Sequence, residues 1–271
     1  ERMLAVILDE NNKKVKNILK KWEIDYEVIG KVTDTKKVIF KSKDKIVVNL
    51  PVDIIVDLAP EYDRPFNLPL KRKVQNYDFS ELNLKICLDN ILKNINYSHK
   101  SWVYDQYDST VMGDTIFEPG GSSGVVKIHN SKKAIGATTD CSPLYIRINP
   151  EKGMAHTVLE SYRNLISSNI KPMAITNNLN FASPLDQNIM GELVLSINGL
   201  KKTAEYFNTP IVSGNVSLYN QTNEEPIKPT PVIGCVGLNE NYKTLVPSCF
   251  KSENDKIFMI GQMLEKKNSP Y

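Results

Sequence analysis

The sequence predicts an α+β fold: a central mixed sheet packed by helices, flanked by partial α+β domains. Three observations point there. Short apolar runs suited to strands alternate with longer amphipathic segments. The segment from Asp186 to Phe207 repeats apolar residues (Ile189, Leu193, Ile197, Leu200, Ala204, Phe207) every three or four positions, as one long helix does. Several apolar runs end in residues bearing hydroxyls and amides, where α/β proteins hold ligands.

The elements follow in order. Met3 to Leu8 reads as a strand and Lys13 to Lys21 as a helix with Val15, Ile18 and Leu19 turned inward. Strands are expected at Asp25 to Ile29, Val38 to Phe40 and Ile46 to Val48, and a short apolar segment at Val52 to Leu58. Pro60, Pro65 and Pro69, with Lys71-Arg72-Lys73, mark a boundary. Beyond it Asn76 to Asn96 reads as a helix capped by Asp78 or Ser80. The turn Pro119 to Gly124 leads into strands at Val125 to Ile128 and Ala134 to Thr138. Gly153 to Ser168 is a helix and Pro172 to Thr176 a strand. Ser183 is placed to cap the long helix, with Pro184 at its first position. Strands at Ile211 to Ser213, Val232 to Leu238 and Ile257 to Ile260 complete the pattern.

Composition excludes several classes. A chain of 271 residues, 41% hydrophobic and 24% charged, describes one large soluble globular domain or two of ordinary size. The net charge of +3 is too small to argue for nucleic acid, and the basic pairs Lys13-Lys14 and Lys20-Lys21 lack interleaved aromatics, as solvated faces do. No apolar stretch approaches the roughly 18 residues of a membrane span, and the start is not signal-like. Cys87, Cys141, Cys235 and Cys249 are far apart and form no metal-spaced pair, which predicts reduced thiols and a cytosolic chain. The start at Glu1-Arg2-Met3 and the end at Asn268 to Tyr271 suggest a piece of something longer.

Three segments after apolar runs gather oxygen donors: Thr138 to Pro143, Thr176 to Phe181, and Ser213 to Tyr219. Read as loops, they offer amides, hydroxyls and one carboxylate with no imidazole and Cys141 as the one thiol, and these oxygen donors are the set that Mg²⁺ and phosphates favour. Asn215 brings an amide oxygen suited to a hard cation, Gly214 permits close backbone approach to a phosphate, and Ser217 adds a hydroxyl. The same residues also suit a polar turn closing a strand. Asp140 is equally a Mg²⁺ or nucleotide contact and a turn cap, while Asn177 and Asn178 are equally ligand contacts and local backbone partners. The glycine-rich turn at 119–124 resembles an anion nest but matches neither a Walker loop nor a dinucleotide fingerprint. His99, His129 and His156 are scattered and read as surface or packing residues.

The stretches "ERMLAVILDE", "KWEIDYEVIGKVTD", "LPVDIIVDLAPEYDRP", "WVYDQYDS", "ATTDCSPLY", "PMAITNNLNFASP" and "TPIVSGNVSLYN" resemble, in order, the ATP-dependent synthetase subunits of phosphoribosylformylglycinamidine synthase, of the small bacterial PurL type. The resemblance implies aminoimidazole-ribonucleotide-synthetase-like (PurM-like) domains. Residues 1–70 would be a C-terminal-type domain of a first half, 71–240 the N-terminal-type domain of a second, and 241–271 the start of a final domain. The implied activity is an ATP-dependent ligase of purine biosynthesis. It converts formylglycinamide ribonucleotide to its amidine with ammonia from a glutaminase, PurQ, alongside an adaptor, PurS. Carried over, Asn177 and Gly214 contact ATP, Asn215 ligands Mg²⁺, and Ser217 touches substrate.

The sequence also departs from that pattern. The family's usual Asp after the "AIT" strand is Asn177 here, and Gly-Gly-Asp-Ala-Ala is replaced by Gly120-Gly121-Ser122-Ser123-Gly124. The implied acid/base histidine matches no position in the chain and is expected upstream of Glu1, so an isolated chain should be inactive. The lost carboxylates favour the alternative of a non-catalytic structural nucleotide-binding or scaffold module. A selenophosphate synthetase or thiamine-phosphate kinase is not expected to carry "PEYDRP" and "SGNVSLYN" together.

Overall fold

Val15 and Leu19 lie one helical turn apart and are the half-buried apolar side chains of α1 (Asn12–Lys21), whose lysines point to solvent, whereas Ile18, expected to turn inward, is 48% exposed. The structure, a computed structural model, describes residues 2–68 and 82–261 and divides into two units, Glu1–Asp63 and Arg64–Tyr271. In the first unit β1 (Lys37–Ser42) and β2 (Lys45–Pro51) form an antiparallel hairpin. Lys43 and Asp44 turn it with left-handed φ of 48° and 63°, the backbone twist that matches a two-residue hairpin turn. The apolar segment after β2 is a short helix, α2 (Val52–Ile55), tied to the hairpin through the Val52 N–H and the Lys36 carbonyl (3.0 Å).

The strands expected at Met3 to Leu8 and Asp25 to Ile29 do not form. Met3 stays 91% exposed and Val6 76%, and neither segment has a ladder partner among the described residues. An extended run becomes a strand only when another strand takes its backbone groups.

In the second unit α3 (Leu84–Lys93) is capped by Asn83, whose side chain accepts from the Lys85 and Ile86 amides. This helix is shorter than expected, and the proposed caps Asp78 and Ser80 lie outside the described residues. After α4 (Ser101–Tyr104) come β3 (Thr115–Phe117), β4 (Gly124–Lys127), β5 (Ala134–Asp140), α5 (Pro143–Ile148), α6 (Pro150–Ser167), β6 (Lys171–Asn180), α7 (Gln187–Tyr206) and β7 (Ile211–Ser217). A minor hairpin, β8 (Gln221–Thr222) and β9 (Glu225–Pro226), precedes β10 (Val232–Asn239).

The sheet is six-stranded in the order β3-β4-β5-β10-β6-β7. All its neighbours are antiparallel except β6 and β7, which run parallel and are joined through α7. Because β10 opposes both β5 and β6, the ends of β5, β6 and β7 point the same way.

One sheet face is covered by α6. Met154, Val158 and Leu165 from that helix pack with Ile175, Leu179, Ile233 and Cys235 from the strands, all nearly or fully buried. Burying each large aliphatic side chain is worth roughly 2 kcal/mol. Two helices approach closely because Gly199 of α7 abuts the Glu151 backbone, where a Cβ would collide with the carbonyl oxygen. On the opposite face Val126, Ile135 and Val236 remain 38–44% exposed.

Asp186, not Ser183, caps α7: its carboxylate accepts from the Asn188 and Ile189 amides, whereas Ser183 Oγ accepts from the Leu185 amide. Pro184 therefore precedes the helix. Ile257 to Ile260 is not a strand, and Ile260 is 99% exposed, with no pairing partner among the described residues.

Candidate functional site

The segments read as loops after β6 and at β7 are strand. Residues Thr176 to Asn180 continue β6, and Ser213 to Ser217 belong to β7. Polar side chains sit within these strands because each takes its ladder bonds from a neighbour: Asn177 pairs with Gly214, Asn178 with Asn215, and Asn180 with Ser217 in parallel register. β7 is the outermost strand of the described sheet, so its second edge is unpaired there.

Strand alternation then divides the candidates between two faces. One cross-strand row runs Asp140 (β5), Ile233 (β10), Asn177 (β6) and Gly214 (β7). It lies on the α6 face, since Ile233 is fully buried there. Asn177 covers Gly214 closely, and a Cβ on that glycine would lie 2.6 Å from Asn177 Oδ1.

The next row carries Val232, Asn178 and Asn215 on the opposite face. There Asn215 Nδ2 donates to Asn178 Oδ1 (3.1 Å) and to Ser217 Oγ (3.2 Å). One step back along the strands, the Thr176 and Ser213 hydroxyls are 2.8 Å apart. Asn180 Nδ2 donates to the Asn178 and Thr230 carbonyls (3.1 and 3.0 Å), tying the chain before β10 to the end of β6. Asn177 and Gly214 therefore share one face and Asn215 and Ser217 the other, with both pairs beside the free edge of β7.

Asp140 has a local task. Its Oδ2 accepts from Ser161 Oγ (2.7 Å) and its Oδ1 from Asn164 Nδ2 (2.9 Å), which pins the end of β5 to α6. The charge reaches the core, where burial and, secondarily, Asp140 push the Cys235 thiol up to about 11. Burial, then the Glu160 charge, also raises the Cys141 thiol. Tyr162 is pushed up to about 12, chiefly by burial, and its buried hydroxyl has no partner among the described residues.

The glycine-rich turn is similarly occupied. Gly120 takes a φ of 106°, a conformation that favours glycine, and the Ser122 amide donates to Ser248 Oγ (3.3 Å). Ser123 Oγ donates to Ser168 Oγ (2.7 Å) beneath it. His129 pairs with Asp114 (2.8 Å), and His99 Nε2 lies 3.2 Å from the Tyr104 hydroxyl.

As a cation site the donor set is neutral. No group of three or more His, Cys, Asp or Glu side chains suited to a metal occurs among the described residues. Asn215 Oδ1 has no donor among those residues, so it fits one position in a Mg²⁺ shell whose other oxygens come from phosphates and water. On β7 the polar residues Ser213, Asn215 and Ser217 at every second position were legible as a strand period rather than a loop's, whereas on β6 the intervening Asn177 masks the same period of Thr176, Asn178 and Asn180.

These features define the class. Residues 120–239 match the family described as "AIR synthase related protein, N-terminal domain", and residues 1–43 match its C-terminal domain. The fold is thus that of AIR-synthase-related, PurM-like domains. Within that class the chain is a homologue of phosphoribosylformylglycinamidine synthase subunit PurL. It is 43% identical to the Pelagibacter ubique subunit over 265 residues and 39% identical to that of Bartonella quintana over 264. These alignments take in 97% and 96% of this chain but 36% of each relative, so the chain spans about a third of their length.

Solved structures agree. The Thermotoga maritima PurLQS structure superimposes with a TM-score of 0.69 at 26% identity, over 88% of this chain and 37% of that one. T. maritima PurL complexed with ATP gives 0.65 at 26% identity over the same shares. T. maritima PurL complexed with FGAR gives 0.66 at 25%, over 88% of this chain and 36% of that one.

Proposed function

We propose that this chain supplies part of the nucleotide-binding side of a PurL-type phosphoribosylformylglycinamidine synthase. In that reaction the amide oxygen of formylglycinamide ribonucleotide attacks the γ-phosphorus of ATP and ADP leaves. Ammonia then adds at the activated carbon, and phosphate departs with the former amide oxygen to leave the amidine. Phosphoryl transfer of this kind depends chiefly on positioning and on neutralising charge.

The observation that carries the reading is the in-register pairing of Asn177 with Gly214 and of Asn178 with Asn215 on adjacent parallel strands, beside an open sheet edge. A ligand astride that edge meets both faces. Asn177 and the Gly214 backbone would hold ATP, Asn215 Oδ1 would ligand Mg²⁺, and Ser217 would touch the ribonucleotide. Bound Mg²⁺ would supply neutralisation of phosphate charge. The glutaminase PurQ, as ammonia source, and PurS would be the partners, a reading supported by likeness to the PurLQS structure.

The neutral donor set favours a second reading, a structural nucleotide site that holds ATP or ADP without turning it over. Melting the 271-residue chain with ATP and Mg²⁺ tests nucleotide binding, which both readings require. Ligand at about 100 times its dissociation constant adds about 2.7 kcal/mol of stability. Asn215→Ala should remove the part of the shift that depends on Mg²⁺. A wild type without any shift refutes nucleotide binding, and an equal shift in the variant refutes the metal assignment.

A further inference from the structure

Asn215 can present only one end of its amide to a cation, and the end that binds is the oxygen. Its NH₂ group must then find acceptors in the sheet. Two are present: Asn178 Oδ1 at 3.1 Å and Ser217 Oγ at 3.2 Å. With both N–H bonds used, Oδ1 has no donor among the described residues and Asn215 is exposed. Ser217 lies on the same strand two residues on, whereas Asn178 reaches across from β6, directly opposite in the register.

We propose that Asn178 is a positioning residue for the cation. By accepting from Asn215 Nδ2, it selects the amide orientation that turns Oδ1 outward. A hydrogen bond taken from the amide nitrogen also draws electron density towards the oxygen, which strengthens it as a ligand. Asn178 is itself held in place. Its carbonyl accepts from Asn180 Nδ2 at 3.1 Å, and the Thr176–Ser213 hydroxyl pair braces the two strands one step earlier. Asn177, the neighbouring amide, cannot do this work because it faces the other side of the sheet over Gly214.

This inference rests on the assignment of Asn215 as the cation ligand, and the test separates the two. Binding of the ATP analogue AMPPCP to the 271-residue chain is measured across a Mg²⁺ titration in wild type, Asn178→Leu, Asn178→Asp and Asn215→Leu. Asn178→Leu removes the acceptor while keeping the branched four-heavy-atom skeleton and should raise the half-effective Mg²⁺ concentration roughly tenfold, with metal-free AMPPCP affinity unchanged. Asn178→Asp keeps an acceptor and should return the midpoint to the wild-type value or below.

If Asn215→Leu raises the midpoint but Asn178→Leu does not, the positioning role is overturned and the ligand assignment stands. Failure of Asn178→Asp to restore the midpoint also overturns the positioning role. If Asn215→Leu leaves the midpoint unchanged, or the wild type shows no Mg²⁺ dependence, both fall. Circular dichroism checks each fold, and Asn178→Ala repeats the test should leucine on that exposed face perturb the sheet.

Discussion

Asn177 lies over Gly214, its side-chain oxygen 2.6 Å from where a β-carbon on that glycine would stand. The neighbouring strand thus leaves room for an amide because it carries no side chain there. Their shared position beside the open edge of β7 makes this pair the place where backbone and amide are offered together.

Gly214→Ala should therefore act on binding more than on folding. The obstructing atoms belong to a side chain that can turn away, and alanine suits a strand better than glycine. The melting temperature without ligand should move by the equivalent of less than about 1 kcal/mol. Displacing the Asn177 amide should nonetheless abolish most of the thermal shift with ATP. Retention of the full shift would show that nucleotide does not approach this strand.

Asp140 predicts the reverse. Its two oxygens are taken by Ser161 and Asn164, so Asp140→Ala strands two donors at the junction of β5 and α6. Urea unfolding should show a loss of about 1–3 kcal/mol, and Asp140→Asn, which keeps one acceptor, a smaller loss. A variant that unfolds normally but loses its Mg²⁺ response would instead make this carboxylate a cation contact.

Stability should decline in alkali through Cys235. Its thiol is raised from an ordinary 9.0 to about 11, first by burial and then by Asp140. Below 9.0 folded and unfolded chains both keep the proton, and the contribution is flat. Between 9.0 and about 11 the unfolded chain releases the proton while the folded chain retains it, so stability falls as pH rises. At about 1.4 kcal/mol per unit the full loss approaches 3 kcal/mol. Melting curves from about pH 8 to pH 11 should show this slope in wild type and a shallower one in Cys235→Ala. Tyr162, raised from 10.0 to about 12, adds its own decline from about pH 10 upward in both proteins.

By itself the sequence determined the class and three of the helices, while α4 and α5 were not anticipated and α3 came out shorter. Periodic apolar residues set α1, α6 and α7 to within a few positions, since helix-forming contacts are local in the chain. It also picked out Asn177, Gly214, Asn215 and Ser217 through their chemistry and through a family resemblance specific over most of the chain. Tertiary structure decided what these residues border. Polar segments taken for loops became β6 and β7 because each found a partner strand, while the apolar runs at Met3 to Leu8 and Ile257 to Ile260 found none and stayed irregular. Pairing is a long-range event, and it alone fixes register, hence which side chains share a face. Register sent Asn177 to one side of the sheet and Asn215 to the other, set Asn178 against Asn215, and turned Asp140 into a tether for α6.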